Sequence, residues 1–155
     1  MSFSQLTWGV KASFRGYVDA MGGSVTLSEG ASQDETGEIV FTALPGGDLT
    51  IGQDGTATGS VRFAGGVTFE AHGGMLKSTL TELGIEVQDE GLVLTVADQM
   101  NDGRCAIAVL EATLEATEEA TEGGLSLVAR ITMDGMYQIA DNYPPGTELD
   151  PVRLS

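Results

Sequence analysis

Short runs of alternating apolar and polar residues, broken by glycine at fairly even intervals, dominate this chain of 155 residues. Val61 and Phe63 flank Arg62, and Val67 and Phe69 alternate with Thr68 and Glu70. That period of two puts the apolar side chains on one face of a strand. Gly65 and Gly66 lie between the two runs and predict a turn that joins them as a hairpin. The same reading predicts strands over 24–28, 38–43, 49–51, 58–63, 67–71, 75–81, 85–88, 92–97, 104–117, 125–133 and 152–154, about eleven in all. The region 106–122 carries two patterns, because Ala, Leu and Glu favour helix while Ile107, Val109, Leu110, Ala112 and Leu114 also suit a strand. Strand is assigned through about Thr117. The predicted class is mainly β: an antiparallel β-rich domain over residues 1–155 with two short α-helices.

The first predicted helix spans about 7–20. On it Ser13 and Tyr17 are one turn apart on the same face, with Val10 above them, so the phenol looks into whatever that face covers. Trp8 reads as an anchor between helix and sheet. The second predicted helix follows Asp134, taken as its N-cap, and runs through about Asp141 until Pro144, Pro145 and Gly146 stop it.

Twenty-three acidic against seven basic side chains give a net charge of −16. That charge repels phosphate backbones and anionic lipid, which sets aside nucleic-acid and membrane-surface partners. The chain opens without a basic segment followed by an apolar run, and it holds no stretch long enough for membrane insertion. As written, it is expected in the cytoplasm; as an excised domain, it is expected outside the cell or at its surface. Cys105, the one cysteine, sits against Ala106, Ile107 and Ala108 and predicts a buried thiol.

Familiar catalytic patterns are missing. His72 is the only histidine, and no Gly-x-Ser-x-Gly elbow or Cys-His signature frames a nucleophile. The glycine-rich segments lack the downstream Lys-Ser/Thr of a phosphate loop, and no acidic stretch follows EF-hand spacing. What remains is aromatic and polar: Tyr17 with Ser13, then His72, then Tyr137 and Tyr143 near the chain's end. Without further context, Tyr17 reads as a packed amphipathic tyrosine, and Tyr137 and Tyr143 as packing for the terminal turn.

Two stretches change that reading. The opening Leu6-Thr7-Trp8-Gly9-Val10-Lys11, continued by Ser13-Phe14-Arg15 and Tyr17-Val18, and the closing Tyr143-Pro144 with Gly146-Thr147-Glu148-Leu149-Asp150-Pro151-Val152 resemble the HtaA family of haem-binding domains from actinobacterial haem-uptake proteins. The resemblance brackets almost the whole chain. It implies a β-rich domain whose ferric haem b is held by Tyr17 as axial ligand, supported by His72, with Ser13 and Tyr143 lining the pocket. It also implies another haem-binding protein as donor or acceptor. The residue before the closing tyrosine is commonly aromatic in the family and is Asn142 here.

The chemistry is consistent with that implication. A phenol with a solution pKa of about 10 binds iron well only when Fe³⁺ acidifies it and a neighbour takes its proton. An imidazole hydrogen-bonded to the ligand oxygen does this and fixes the ring. Lys11 and Arg15, one turn apart beside the tyrosine, are either propionate partners or solvated helix cations. Three function classes follow: a haem-binding and haem-transfer or buffering protein, a haem-dependent or Tyr/His acid–base enzyme, and a β-rich interaction module that has lost its ligand.

Overall fold

A computed structural model describes residues 3–52, 56–89, 91–100, 102–112, 125–139 and 143–155; the His72 side chain lies outside the description. Its strands are β1 (Gln5–Trp8), β2 (Ser24–Ser28), β3 (Ser32–Gln33), β4 (Ile39–Ala43), β5 (Thr50–Ile51), β6 (Ala57–Thr58), β7 (Ser60–Ala64), β8 (Gly66–Ala71), β9 (Leu76–Thr81), β10 (Gly84–Gln88), β11 (Gly91–Ala97), β12 (Arg104–Glu111), β13 (Leu125–Ile131) and β14 (Glu148–Leu154). Two α-helices accompany them, α1 (Ala12–Ala20) and α2 (Met133–Gln138). The class is mainly β, as the alternation predicts.

Eight strands close into an antiparallel barrel in the order β1, β14, β13, β12, β11, β10, β7, β4, and β4 returns to β1 through pairs such as Thr7↔Val40 and Trp8↔Ile39. Barrels of this size have interiors just wide enough for side chains. Leu6, Trp8, Phe41, Phe63, Ile85, Leu94, Ile107 and Leu127 are each at most 1% exposed. Burial of each such side chain contributes roughly 1.5–3 kcal/mol, so the barrel is the rigid part of the molecule. α1 and the strands β2, β8 and β9 stand outside the ring.

The elements that matter for a ligand pack there. β2, β8 and β9 form a separate three-stranded sheet, and α1 lies against β8 with Phe14 edge-on to Phe69, ring centroids 5.1 Å apart. Phe14 and Val18, one turn apart, are the buried stripe of α1. At the helix end, Gly23 is wedged where a Cβ would come within 2.1 Å of the Glu70 carbonyl and 2.7 Å of the Val18 carbonyl. Only glycine fits that approach. α2 packs on β12 by the same device, since a Cβ on Gly135 would sit 2.1 Å from the Ile107 carbonyl.

Several expectations are corrected. The first helix does not start near Thr7: Gln5–Trp8 is barrel strand β1, so Trp8, 1% exposed, lies on a strand and not on the helix. Leu6 and Trp8 are both buried, and that period of two outweighs helical propensity. Val10 then takes φ +64°, a conformation that breaks the strand and delays the helix to Ala12. Nor do the runs around Gly65 and Gly66 pair as a hairpin. β7 pairs with β10 and β4, whereas β8 pairs with β2 and β9, so the glycines carry the chain from the barrel to the second sheet.

The expected strand over 58–63 is divided at Gly59, φ +82°, into β6 and β7. With β1 and β3 also unforeseen, the described strands number fourteen rather than eleven. β13 stops at Ile131, and the cap of α2 is Thr132, whose Oγ1 accepts from Gly135 N at 2.9 Å, with Asp134 inside the first turn. β12 ends at Glu111; the remainder of the strand expected through Thr117 falls mostly outside the described residues, as do residues 140–141, the expected end of α2.

Candidate functional site

Nine residues make a marginal helix in isolation, so tertiary contacts set where α1 lies. Its own sequence supplies no cap: Lys11 occupies the N-cap position without a side-chain hydrogen bond, and the first turn holds no acid. Asp150 of β14 supplies both. Its Oδ1 accepts from Ala12 N at 3.0 Å, and its Oδ2 receives Arg15 Nη1 at 2.8 Å. Its backbone is tied as well, the carbonyl accepting from Trp8 Nε1 at 2.8 Å and the amide donating to Val10 O at 2.9 Å. The strand delivers Asp150 through a bulge. Leu127 pairs with Val152 and Ala129 with Leu149, so Asp150 and Pro151 together face Val128. Proline is tolerated at such a position.

With the helix so fixed, Tyr17 stands on its solvent side, 43% exposed, between the buried Phe14 and Val18. One turn earlier Ser13 Oγ meets Tyr143 OH at 3.1 Å, and Tyr143 packs half-buried against the core. Lys11 Nζ lies 5.9 Å from the Tyr143 ring centroid and donates to Glu148 O at 2.8 Å. Met21, one turn on from Tyr17, is also an exposed apolar side chain, as is Val25 of β2. Tyr137 does not pack the terminal turn as expected, being 55% exposed.

His72 follows β8 directly and opens a single 3₁₀ turn through Gly74. Its backbone therefore stands two residues beyond Glu70, whose carbonyl abuts Gly23 at the end of α1. The sheet thus brings the backbone of His72 to the end of the helix that carries Tyr17, while Tyr143 joins Ser13 one turn away. Asn142 lies outside the described residues. Arg15, committed to Asp150 and to the Gly9 carbonyl at 2.7 Å, is not a solvated helix cation. Sequence reading left Asp150 unassigned, although it stood in the closing motif immediately before Pro151.

A concavity of about 790 Å³ lies elsewhere, over β7, β10, β11, β12 and the start of α2. Charges of both signs line it, including Arg62, Glu86, Arg104 and Asp134. Burial and then the neighbouring Arg62 lower the pKa of Arg104, which donates to Thr95 Oγ1 and the Glu82 carbonyl. Such a lining offers no bed for a flat apolar ligand, so the phenol-bearing face is the better candidate despite its openness. No group of three or more His, Cys, Asp or Glu among the described residues could hold a bare metal ion. No helix among them is long and apolar enough to cross a membrane.

The family model described as Htaa matches residues 4–155. The chain belongs to the HtaA family. Among solved structures it is similar to the C-terminal domain of HtaA from Corynebacterium glutamicum, at 29% identity and a TM-score of 0.69, over 98% of this chain and 95% of that one. The N-terminal domain of HtaA from the same organism shares the fold at 24% identity, TM-score 0.71, over 99% and 97% of the two chains. So does its haem-binding protein HtaB, at 16% identity, TM-score 0.63, over 98% and 91%. Comparison with curated proteins gives no match.

Proposed function

We propose that this HtaA-family domain binds one ferric haem b on the face of α1, with Tyr17 as the iron ligand and His72 hydrogen-bonded to the phenolate oxygen. Its role is to acquire, buffer or hand on haem, without catalytic turnover, with a second haem-binding protein as donor or acceptor. The observation that carries this reading is the placement of Tyr17: half-exposed on a fixed helix, and one turn from the Ser13–Tyr143 hydroxyl pair.

When bound, ferric haem supplies a Lewis-acidic iron that favours the phenolate form of its ligand. Tyr17 gives up its phenolic proton there, and His72 takes or shares it, which also orients the ring. Ser13 and Tyr143 present hydroxyls at the polar border of the face. A ligand set with one protein donor leaves the opposite face open to a partner, which suits transfer.

Haemin titration tests the assignment. Tyr17→Phe keeps the ring and removes the ligand oxygen, so it abolishes the phenolate-to-iron charge-transfer band and most of the affinity while the far-ultraviolet dichroism is unchanged. His72→Ala weakens binding less. Saturable binding that is indifferent to Tyr17→Phe overturns the site.

A further inference from the structure

We propose that Asp150 is a positioning residue for the tyrosine-bearing helix: a carboxylate lent by the last barrel strand caps and orients α1 and thereby sets where Tyr17 presents its oxygen. The inference rests on the haem reading of Tyr17. A single carboxylate does two jobs at the start of the helix. Oδ1 satisfies the Ala12 amide, one of the donors a helix N-terminus leaves without an internal partner, and Oδ2 holds Arg15 one turn further in. Both partners are only partly exposed, at 20% for Arg15 and 24% for Asp150, so solvent competes weakly for the pair.

The other three contacts show that the clasp fixes an angle as well as a cap. Arg15 Nη1 also reaches the Gly9 carbonyl, Asp150 N reaches the Val10 carbonyl, and Trp8 Nε1 reaches the Asp150 carbonyl. Strand β1, the Gly9–Val10 corner and the first turn of α1 are thus tied to one residue of β14. Val10 holds φ +64°, unusual for a β-branched side chain, and the surrounding contacts keep it there. Ala12, where the clasp grips, is five positions before Tyr17. A tilt of α1 about its buried Phe14–Val18 stripe moves the phenol directly, and the clasp opposes that tilt.

Three variants separate the contributions. Asp150→Ala removes cap and ion pair, Asp150→Asn keeps an acceptor for Ala12 N, and Arg15→Met removes the ion pair and the Gly9 contact while leaving the cap. In the haem-free protein, amide exchange at Ala12 and the Tyr17 ring resonances are followed by NMR. In the ferric haem complex, the charge-transfer band and the rate of haem loss to an apo acceptor are followed.

The expected result is faster Ala12 exchange, a displaced Tyr17 resonance, a shifted band and about tenfold faster haem loss for Asp150→Ala. Asp150→Asn restores Ala12 protection and most of the retention. Val61→Ala, on the barrel, lowers the melting temperature without moving the band, which separates positioning from general destabilisation. Unchanged exchange and an unchanged band in Asp150→Ala overturn the proposal; if that variant fails to fold, Arg15→Met is read by the Tyr17 resonance and the band, and no shift in either overturns it. Should wild-type protein bind no haemin through Tyr17, the haem reading falls, and the haem-free NMR measurements still decide whether Asp150 holds the helix.

Discussion

Ser13 Oγ and Tyr143 OH lie 3.1 Å apart, although 130 positions separate the two residues in sequence. Ser13 belongs to α1, and Tyr143 to the segment that enters β14. The bond thus ties the first turn of the helix that carries Tyr17 to the second half of the chain. A neutral hydroxyl pair of this kind contributes about 1 kcal/mol net.

Ser13→Ala and Tyr143→Phe are each expected to speed ferric haem loss about three- to tenfold, with the fold intact. The double variant is expected to be little worse than either single one, because both remove the same bond. Release rates measured in all four proteins check this; fully additive effects would show that the two hydroxyls act separately.

Reduction is expected to loosen the ligand. Tyr17 as phenolate is a hard anionic donor that favours Fe³⁺ over Fe²⁺, and no second protein donor is proposed on the opposite face. Transfer of haem to an apo acceptor, timed with and without dithionite, reads this out. Equal or slower loss after reduction argues against release by transfer and leaves ferric binding standing.

Cys105 is expected to react slowly with thiol reagents. Burial first, then Asp98 and Asp134, push its thiol from 9.0 up to about 11. At pH 8 the thiolate is on the order of a thousandth of the population. Because the folded pKa is the higher one, the neutral thiol's contribution to stability is fully present below pH 9 and is lost as pH rises through 11. Melting temperatures between pH 8 and 11 are expected to fall more steeply for the wild type than for Cys105→Ser. Rapid labelling at neutral pH contradicts the placement.

Much of this architecture was legible because it rests on local alternation. Val61, Phe63, Val67 and Phe69 announce strands, and burial of one face confirms them. Pairing was not legible, since nothing near Gly65 and Gly66 says that the strands on either side enter different sheets. Leu6 and Trp8 misled for a related reason: two apolar residues spaced by two fit a strand, but the helical residues beyond them hid the boundary, which Val10 sets by a backbone conformation that side-chain patterns do not report. Tyr17, Ser13 and Tyr143 were singled out by their motif, and the hydrogen bond between the last two gives that motif a physical reason. Asp150 escaped notice because its partners, Ala12 and Arg15, are remote in sequence and meet it only through a bulge in β14.

The pairing of β1 with β14 has a consequence for how the molecule is made. Leu6↔Leu154 and Thr7↔Arg153 join strands from opposite ends of the sequence. Contacts of such long sequence separation form late, after the entropy of closing the intervening chain has been met. During synthesis α1 emerges well before its cap, Asp150, and before the hydroxyl that meets Ser13, on Tyr143. A nascent chain that lacks β14 therefore carries Tyr17 on a helix whose first turn is not yet capped. Haem binding at Tyr17, as proposed, would then wait until β14 has been made and has joined β1.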